Sequence, residues 1–191
     1  MYKDKNDLAL NGDEADFYEQ VANLLAESRK YAKKQVDKTI VTTYFLIGHM
    51  IVEREQQGQK RARYGKKLLK GLSEYLTEHY GRGFSIENLQ NIRKFYQVYV
   101  TSIQQTLSTN FGFNNETTLK QQTLSAKSGK QYSLSNLFEK EQTLSDQFKL
   151  NWSHYQILMR VKNDDARHFY EAEAANEQWS VRQLQRLRFR V

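Results

Sequence analysis

The excess positive charge of this 191-residue chain, which has a formal net charge of +7, lies in two short basic segments. The segments are 58–72 and 180–191, and neither contains an aspartate or a glutamate. Clustered cations can bind phosphates, because each one releases counterions from a nucleic-acid backbone. A solvated basic surface has the same composition, and arginines near a helix end also complement the helix dipole. Charge alone therefore leaves phosphate binding and plain solubility as alternatives.

A short motif that can start a helix occurs three times. It consists of an aromatic residue, a serine, two spacers, an amide and an aliphatic, and it begins at Phe84, Trp152 and Trp179. The serine can accept a hydrogen bond from a free amide of the first helical turn, and the amide side chain can reach back. The amide is Gln in the last two copies and the shorter Asn in the first. We predict a helix start at each serine.

The pattern of apolar residues predicts an all-α fold, a multi-helix bundle that contains a helix-turn-helix-like unit and has a polar insertion before its C-terminal helices. Apolar spacings of three and four recur, no segment alternates like a strand, and the chain lacks proline. Nothing forces a break between the first two helices, so one bent helix is the alternative. The apolar middle of the second, 44–51, is expected to be buried, with Gly48 admitting a close neighbour. The predicted helices are 13–35, 37–57, 64–80, 85–99, 153–162, 164–176 and 180–189.

The segment 100–150 differs in composition from the rest of the chain. It is rich in Ser, Thr, Gln and Asn and contains the phrase Gln-Thr-Leu-Ser three times at irregular intervals. We predict a polar, partly mobile connection with a short helix near 134–142. It would separate N-terminal helices at 13–99, including the helix-turn-helix-like part 64–99, from C-terminal helices at 151–191 that pack on them.

Cellular location is constrained by two absences. The first residues lack the apolar stretch of a signal peptide, and the longest nearly apolar run, 40–52, is too short to span a bilayer. The chain has no cysteine, which excludes disulfides and thiolate metal sites and fits a reducing compartment. We expect a cytoplasmic protein without a membrane partner.

The predicted helices 64–80 and 85–99, joined by a glycine turn, have the layout of a helix-turn-helix. If the second helix enters a major groove, asparagines on its outer face can form two hydrogen bonds to adenine. The candidate base-facing residues are Glu87, Asn88, Asn91 and Lys94, with Gln90 and Arg93 flanking them. The candidate phosphate contacts are Arg61, Arg63, Lys66, Lys67, Lys70, Arg82, Arg93, Arg182 and Arg186. An ordinary helical hairpin has the same pattern, and pattern alone favours it.

Several blocks of sequence add a family resemblance. They are 44–51, 64–69, 72–73, 76, Tyr80-Gly81-Arg82-Gly83-Phe84-Ser85, 88–89, 92–96, 152–155, 169–171 and Trp179-Ser180-Val181-Arg182-Gln183-Leu184. In this order they resemble the N-terminal domain of YhcG-type nucleases over most of 15–187. The resemblance implies a helical DNA-binding module placed before a PD-(D/E)xK nuclease domain. This chain departs from the family in lacking a proline at Tyr99-Val100, and it ends where the nuclease domain is expected to begin.

Nuclease chemistry of that type needs an acid two positions before a lysine, so that carboxylates hold magnesium and the lysine orients water. No aspartate or glutamate has this spacing, and the pairs Glu27 with Arg29 and Asp165 with Arg167 substitute arginine. The four histidines form no close metal-ligand pair. We therefore expect no catalytic residue, no metal and no cofactor. The predicted function is a DNA-recognition module without its own catalysis.

The alternative function is a helical dimerisation or protein-protein assembly module that uses the first two helices. The expected partners are duplex or branched DNA, a second copy of the chain, and a nuclease domain that is separate or removed. Salt distinguishes the two functions, because phosphate binding weakens steeply as salt rises whereas apolar docking does not.

Overall fold

The computed structural model describes residues 12–57, 62–111 and 144–187, and no strand occurs among them. The all-α prediction is confirmed for these residues. None of the helices in the described ranges is long and apolar enough to cross a membrane. The described residues form six helices: α1 (Gly12–Gln57), α2 (Ala62–Tyr80), α3 (Ile86–Phe111), α4 (Trp152–Leu158), α5 (Asp164–Asn176) and α6 (Val181–Leu187).

The fold divides into two compact units, Met1–Asp37 and Lys38–Val191. This division differs from the predicted boundaries near 99 and 150. The described part of the first unit belongs to α1, which is one continuous helix rather than two. Neither glycine nor proline occurs between 13 and 47, so the backbone has no local reason to break there.

An aromatic cluster forms the main core of the second unit. Phe95 of α3 lies 5.4 Å from Phe148 and 5.1 Å from Tyr155 of α4, measured between ring centroids, and all three side chains are fully buried. Tilted and edge-on rings at this spacing gain energy beyond the area that they bury. Tyr170 of α5 and Leu184 of α6 belong to the same cluster. The C-terminal helices therefore pack around α3.

A smaller apolar cluster lies beside the first and positions α2. It consists of Ile51 of α1, Leu69 of α2, and Leu89 and Ile92 of α3. Gly48 of α1 brings this helix close to α3, because an added Cβ would lie 2.6 Å from the carbonyl oxygen of Ile92. The predicted close approach at Gly48 is confirmed.

The structure corrects the start of the predicted polar connection. The helix expected to end at 99 is α3, which continues to Phe111. Ile103, Phe148 and Leu150 are buried in the main core, so both ends of the segment 100–150 contribute to it. Spaced serines and glutamines do not prevent a helix when a few apolar residues among them have a core to contact. The predicted helix near 134–142 lies outside the described residues.

Two of the three predicted serine caps are confirmed. The amide of Asn88 donates to Ser85 Oγ at 3.2 Å. The amide of Gln183 donates to Ser180 Oγ at 3.3 Å, and Gln183 Oε1 accepts from the Ser180 amide at 2.7 Å, which completes a capping box.

The third predicted cap, Ser153, is wrong. Asn151 caps α4 instead, with an extended backbone and a side-chain oxygen that accepts from the His154 amide. Asparagine is among the best N-cap residues, so the helix starts two residues earlier than the serine pattern predicts. The ring of His154 is buried and lies 2.8 Å from Asn151 Oδ1 and 2.9 Å from the Trp179 carbonyl oxygen.

Candidate nucleic-acid interface

Helix α2 separates its charged residues from its apolar residues. Leu69 is buried against α1 and α3, whereas Lys66, Lys67 and Lys70 are exposed. Residues three and four apart lie on the same face of a helix, so these lysines form one basic face opposite the core. Lys70 also approaches Glu74 at 3.8 Å, a weak contact between exposed groups. Of the other predicted contacts nearby, Arg61 lies outside the described residues, and the side chain of Arg63 is not among those described.

The turn between α2 and α3 depends on two glycines. Gly81 and Gly83 have φ angles of +80° and +124°, which side chains with a Cβ rarely adopt. The Gly81 amide donates to the carbonyl of Thr77 at 3.0 Å and closes α2. Arg82, between the two glycines, is exposed. Arg82 therefore lies in the turn that connects α2, which carries the basic face, to α3.

Asn88 was predicted to face DNA bases, but the structure uses its side chain to hold the fold. Its Nδ2 donates to the Gly83 carbonyl at 2.7 Å. Its Oδ1 accepts from Trp152 Nε1 at 3.2 Å and from Gln156 Nε2 at 3.3 Å. The side chain thus joins the glycine turn, α3 and α4. An amide engaged in this way cannot bond adenine without breaking these contacts, so Asn88 leaves the candidate base-facing set.

The exposed face of α3 is formed by residues at spacings of three and four. It consists of Glu87, Gln90, Lys94 and Gln97, all of which are exposed. Asn91, the other predicted base contact, is half-buried. The sequence pattern predicts Gln90 only as a flanking residue and does not predict Gln97. The burial of Leu89, Ile92 and Phe95 fixes this orientation, and that apolar spacing could have revealed it from the sequence.

Arg93 was predicted to contact phosphate, yet it pairs with an acid inside the protein. Its Nη1 donates to Glu55 Oε1 at 2.8 Å, and both side chains are half-buried. The pair connects the end of α1 to α3. The side chain of Arg93 is therefore engaged in an ion pair that holds α3 against α1.

The predicted C-terminal phosphate contacts, Arg182 and Arg186, lie on α6 and are exposed. Leu184, between them, is buried in the main core. Arg186 Nε also donates to the Arg182 carbonyl at 3.4 Å. Because α6 packs on α4 and α4 packs on α3, these arginines are held by the same core that positions α3.

The chain is similar to known proteins over most of its length. The model of the DUF1016 N-terminal domain matches residues 20–188. The chain belongs to the DUF1016 N-terminal domain family. A relative from Escherichia coli (strain K12), named "Putative nuclease YhcG", is 37% identical over 179 residues. The match covers 88% of this chain but only 43% of the relative. No solved structure matches. The resemblance identified from the sequence is confirmed.

The described part of this DUF1016 domain holds no group of three histidine, aspartate or glutamate side chains suited to a metal ion. Asp165, whose spacing to Arg167 imitates half of a nuclease motif, is exposed in the first turn of α5. Arg167 is buried, donates to Asp164 Oδ1 at 2.8 Å and lies 5.4 Å from the centre of the Tyr99 ring. The contact with Tyr99 connects Arg167 of α5 to α3.

A half-buried carboxyl group lies elsewhere in the same domain. Glu171 Oε1 accepts a hydrogen bond from the hydroxyl of Tyr155 at 2.8 Å. Burial raises the pKa of Glu171 above its ordinary value, and nearby hydrogen-bond donors only partly oppose this shift. The group borders a cleft of about 230 Å³ that is also lined by Ser102 and His168. Sequence reasoning did not single out Glu171, because its burial depends on how α5 packs against α3 and α4.

Proposed function

We propose that this domain is a DNA-recognition module in which α2 and α3 form a helix-turn-helix and α3 enters the major groove. The observation that carries the proposal is the combination of a basic face on α2 with an exposed polar face on α3. A lysine face grips phosphates without reading sequence, and side chains on an outward helix face contact base edges. The family relationship to a protein named a nuclease supports a nucleic-acid partner.

The proposed contacts follow from the exposed side chains. Gln90 and Lys94 are the proposed base contacts, since Gln can form two hydrogen bonds to adenine and Lys can bond guanine. Glu87 lies at the start of this face and can accept a hydrogen bond from cytosine. The proposed phosphate contacts are Lys66, Lys67, Lys70 and Arg82, with Arg182 and Arg186 as outer contacts.

In this proposal the domain supplies recognition and a different polypeptide segment supplies catalysis. Arg167, which takes the place of the lysine in one motif-like pair, donates instead to Asp164 Oδ1. A DNA partner also agrees with the cytoplasmic location that we expect of a chain without cysteine.

The test is fluorescence anisotropy with duplex, branched and single-stranded DNA at low and high salt. Replacing Lys66, Lys67 and Lys70 together by glutamate should abolish binding at moderate salt. If each lysine neutralises one phosphate, the slope of log affinity against log salt should become shallower by roughly 0.9 per lysine.

A matched control reverses the same number of charges outside α2 and α3. Lys149, Arg160 and Lys162 are exposed, and replacing all three by glutamate changes the net charge equally. The control should retain most of the binding. Equal losses in the two triple variants would show that net charge rather than the α2 face attracts DNA, and full binding by the α2 variant would refute the assignment.

A further inference from the structure

The first part of α1 exposes a stripe of large apolar side chains. Phe17 is 59% exposed, Leu24 is 65% exposed and Tyr31 is 66% exposed. Val21 and Leu25 are 40% and 53% exposed. At 100° per residue these five side chains lie within about a third of the helix circumference. The stripe from Phe17 to Tyr31 is one continuous surface rather than scattered residues.

Such a stripe has two physical consequences. In proteins, most of a helix's stability comes from packing an apolar face rather than from helix propensity. A contiguous exposed apolar surface also marks a site of association.

The spacing of the apolar residues adds information about the partner. Phe17, Val21, Leu24 and Tyr31 alternate steps of four and three residues, with Ser28 at the intermediate step, which is the heptad spacing of helices that pair side by side.

The charges along the same segment are divided between its two halves. Residues 13–25 contain four acids and no lysine or arginine, whereas residues 26–36 contain four bases and one acid. The acids of the first half are Asp13, Glu14, Asp16 and Glu19. The bases of the second half are Arg29, Lys30, Lys33 and Lys34. Two such helices side by side repel when parallel, because each half meets its own charge. When antiparallel they attract at both ends.

We propose that a second copy of this chain covers the stripe, and that the two α1 segments pair in an antiparallel arrangement about an axis near Leu24. The complementary halves identify the occupant, because a helix that is acidic at one end and basic at the other complements itself. The dimer lies beyond the DNA-binding proposal and does not depend on it.

The heptad spacing predicts a specific ion pair. Asp13 and Lys34 are 21 residues apart, which is three heptads, so both occupy the same flank of the stripe. Antiparallel pairing brings the same flanks of the two helices together. Asp13 of each copy then lies opposite Lys34 of the other, and the interface contains this pair twice.

The first experiment is sedimentation velocity on the full chain over a range of concentrations. We expect a dimer whose dissociation constant rises about a hundredfold in Leu24→Glu, because the two central leucines are replaced by charges. Leu24 is largely exposed within the chain, so this change should leave the far-UV circular dichroism spectrum and the melting temperature of the second unit unchanged. Phe169→Glu is a matched control, since Phe169 is 59% exposed on α5. It should dimerise normally.

Charge variants test the pairing itself. Lys34→Glu should weaken the dimer about tenfold, since two attractive pairs become repulsive. Asp13→Lys should also weaken it, and an equimolar mixture of the two variants should form a heterodimer tighter than either homodimer. Failure of the mixture to associate better than its components would overturn the proposed pairing.

Disulfide trapping determines the direction of the helices. The chain has no cysteine, so Asp13→Cys and Lys34→Cys each introduce a single thiol. These positions are about 30 Å apart along one helix. Mixing the two variants under oxidation should produce the mixed disulfide in preference to either homodisulfide. A dominant Asp13→Cys homodisulfide would show a parallel pair, and a wild-type chain that stays monomeric would refute the dimer. DNA binding is measured separately by anisotropy, so either proposal can fail without the other.

Discussion

Replacing Asn88 by alanine distinguishes a structural role from a role in reading DNA. The change removes three hydrogen bonds, to the Gly83 carbonyl, Trp152 Nε1 and Gln156 Nε2. The Gly83 carbonyl lies in an exposed turn and can bond water, so its loss costs about 0.5 kcal/mol. The half-buried Trp152 and Gln156 groups lose a partner that water replaces less well, at about 1–1.5 kcal/mol each. We expect the free energy of unfolding to fall by about 3 kcal/mol.

The assay is urea denaturation followed by tryptophan fluorescence, which reports on Trp152 and Trp179. At about 2–4 °C per kcal/mol for a chain of this size, the melting temperature should fall by roughly 6–12 °C. Asn88→Asp should lose less stability, because its carboxylate still accepts from both α4 donors and sits favourably at a helix start.

Gln90→Ala is the matched control on the same helix. Gln90 is exposed, so its replacement should change the free energy of unfolding by less than about 0.5 kcal/mol. On DNA the order should reverse, with Gln90→Ala altering sequence preference. An Asn88→Ala protein of normal stability and altered base preference would refute the structural assignment and restore Asn88 as a base contact.

Two further changes test the core. Gly48→Ala places a methyl group against the Ile92 carbonyl, which cannot move without shifting α3. We therefore expect about 1–3 kcal/mol of destabilisation, although alanine has the better helix propensity. A variant that is more stable in urea denaturation would show that α1 and α3 can separate without cost. Burial raises the folded-state pKa of Glu171 above its ordinary value of 4.5, so the folded chain keeps this proton to a higher pH than the unfolded chain does. The free energy of unfolding should therefore fall as the pH rises from the ordinary pKa to the raised pKa, and it should stay level at higher pH. Glu171→Gln keeps an acceptor for Tyr155 and should flatten that decline in melting temperature against pH, whereas an unchanged profile would contradict the burial of the carboxyl group.

The helix boundaries show what local sequence can predict. The range of α5 matches the prediction at both ends, because Asn163 and two following aspartates mark its start and its apolar spacing is regular. The start of α4 was misplaced because Asn151 and Ser153 both make good caps, and the choice between them depends on His154, whose ring also contacts the Trp179 carbonyl. That contact joins residues 25 positions apart, beyond the reach of a local pattern.

The sequence by itself determined the helical class, the glycine turn before α3, two of the serine caps and the family. It also determined that the first part of α1 has an acidic half and a basic half. Each of these depends on residue type and short-range spacing, since caps, turns and helix faces are set within a few residues. Only the tertiary structure decided which side of α3 faces outward. Asn88 and Gln90 are both polar and two residues apart, yet contacts with α4 turn the first inward and leave the second exposed. Only the tertiary structure decided the raised pKa of Glu171 as well, because desolvation depends on neighbours that packing brings together from distant parts of the chain.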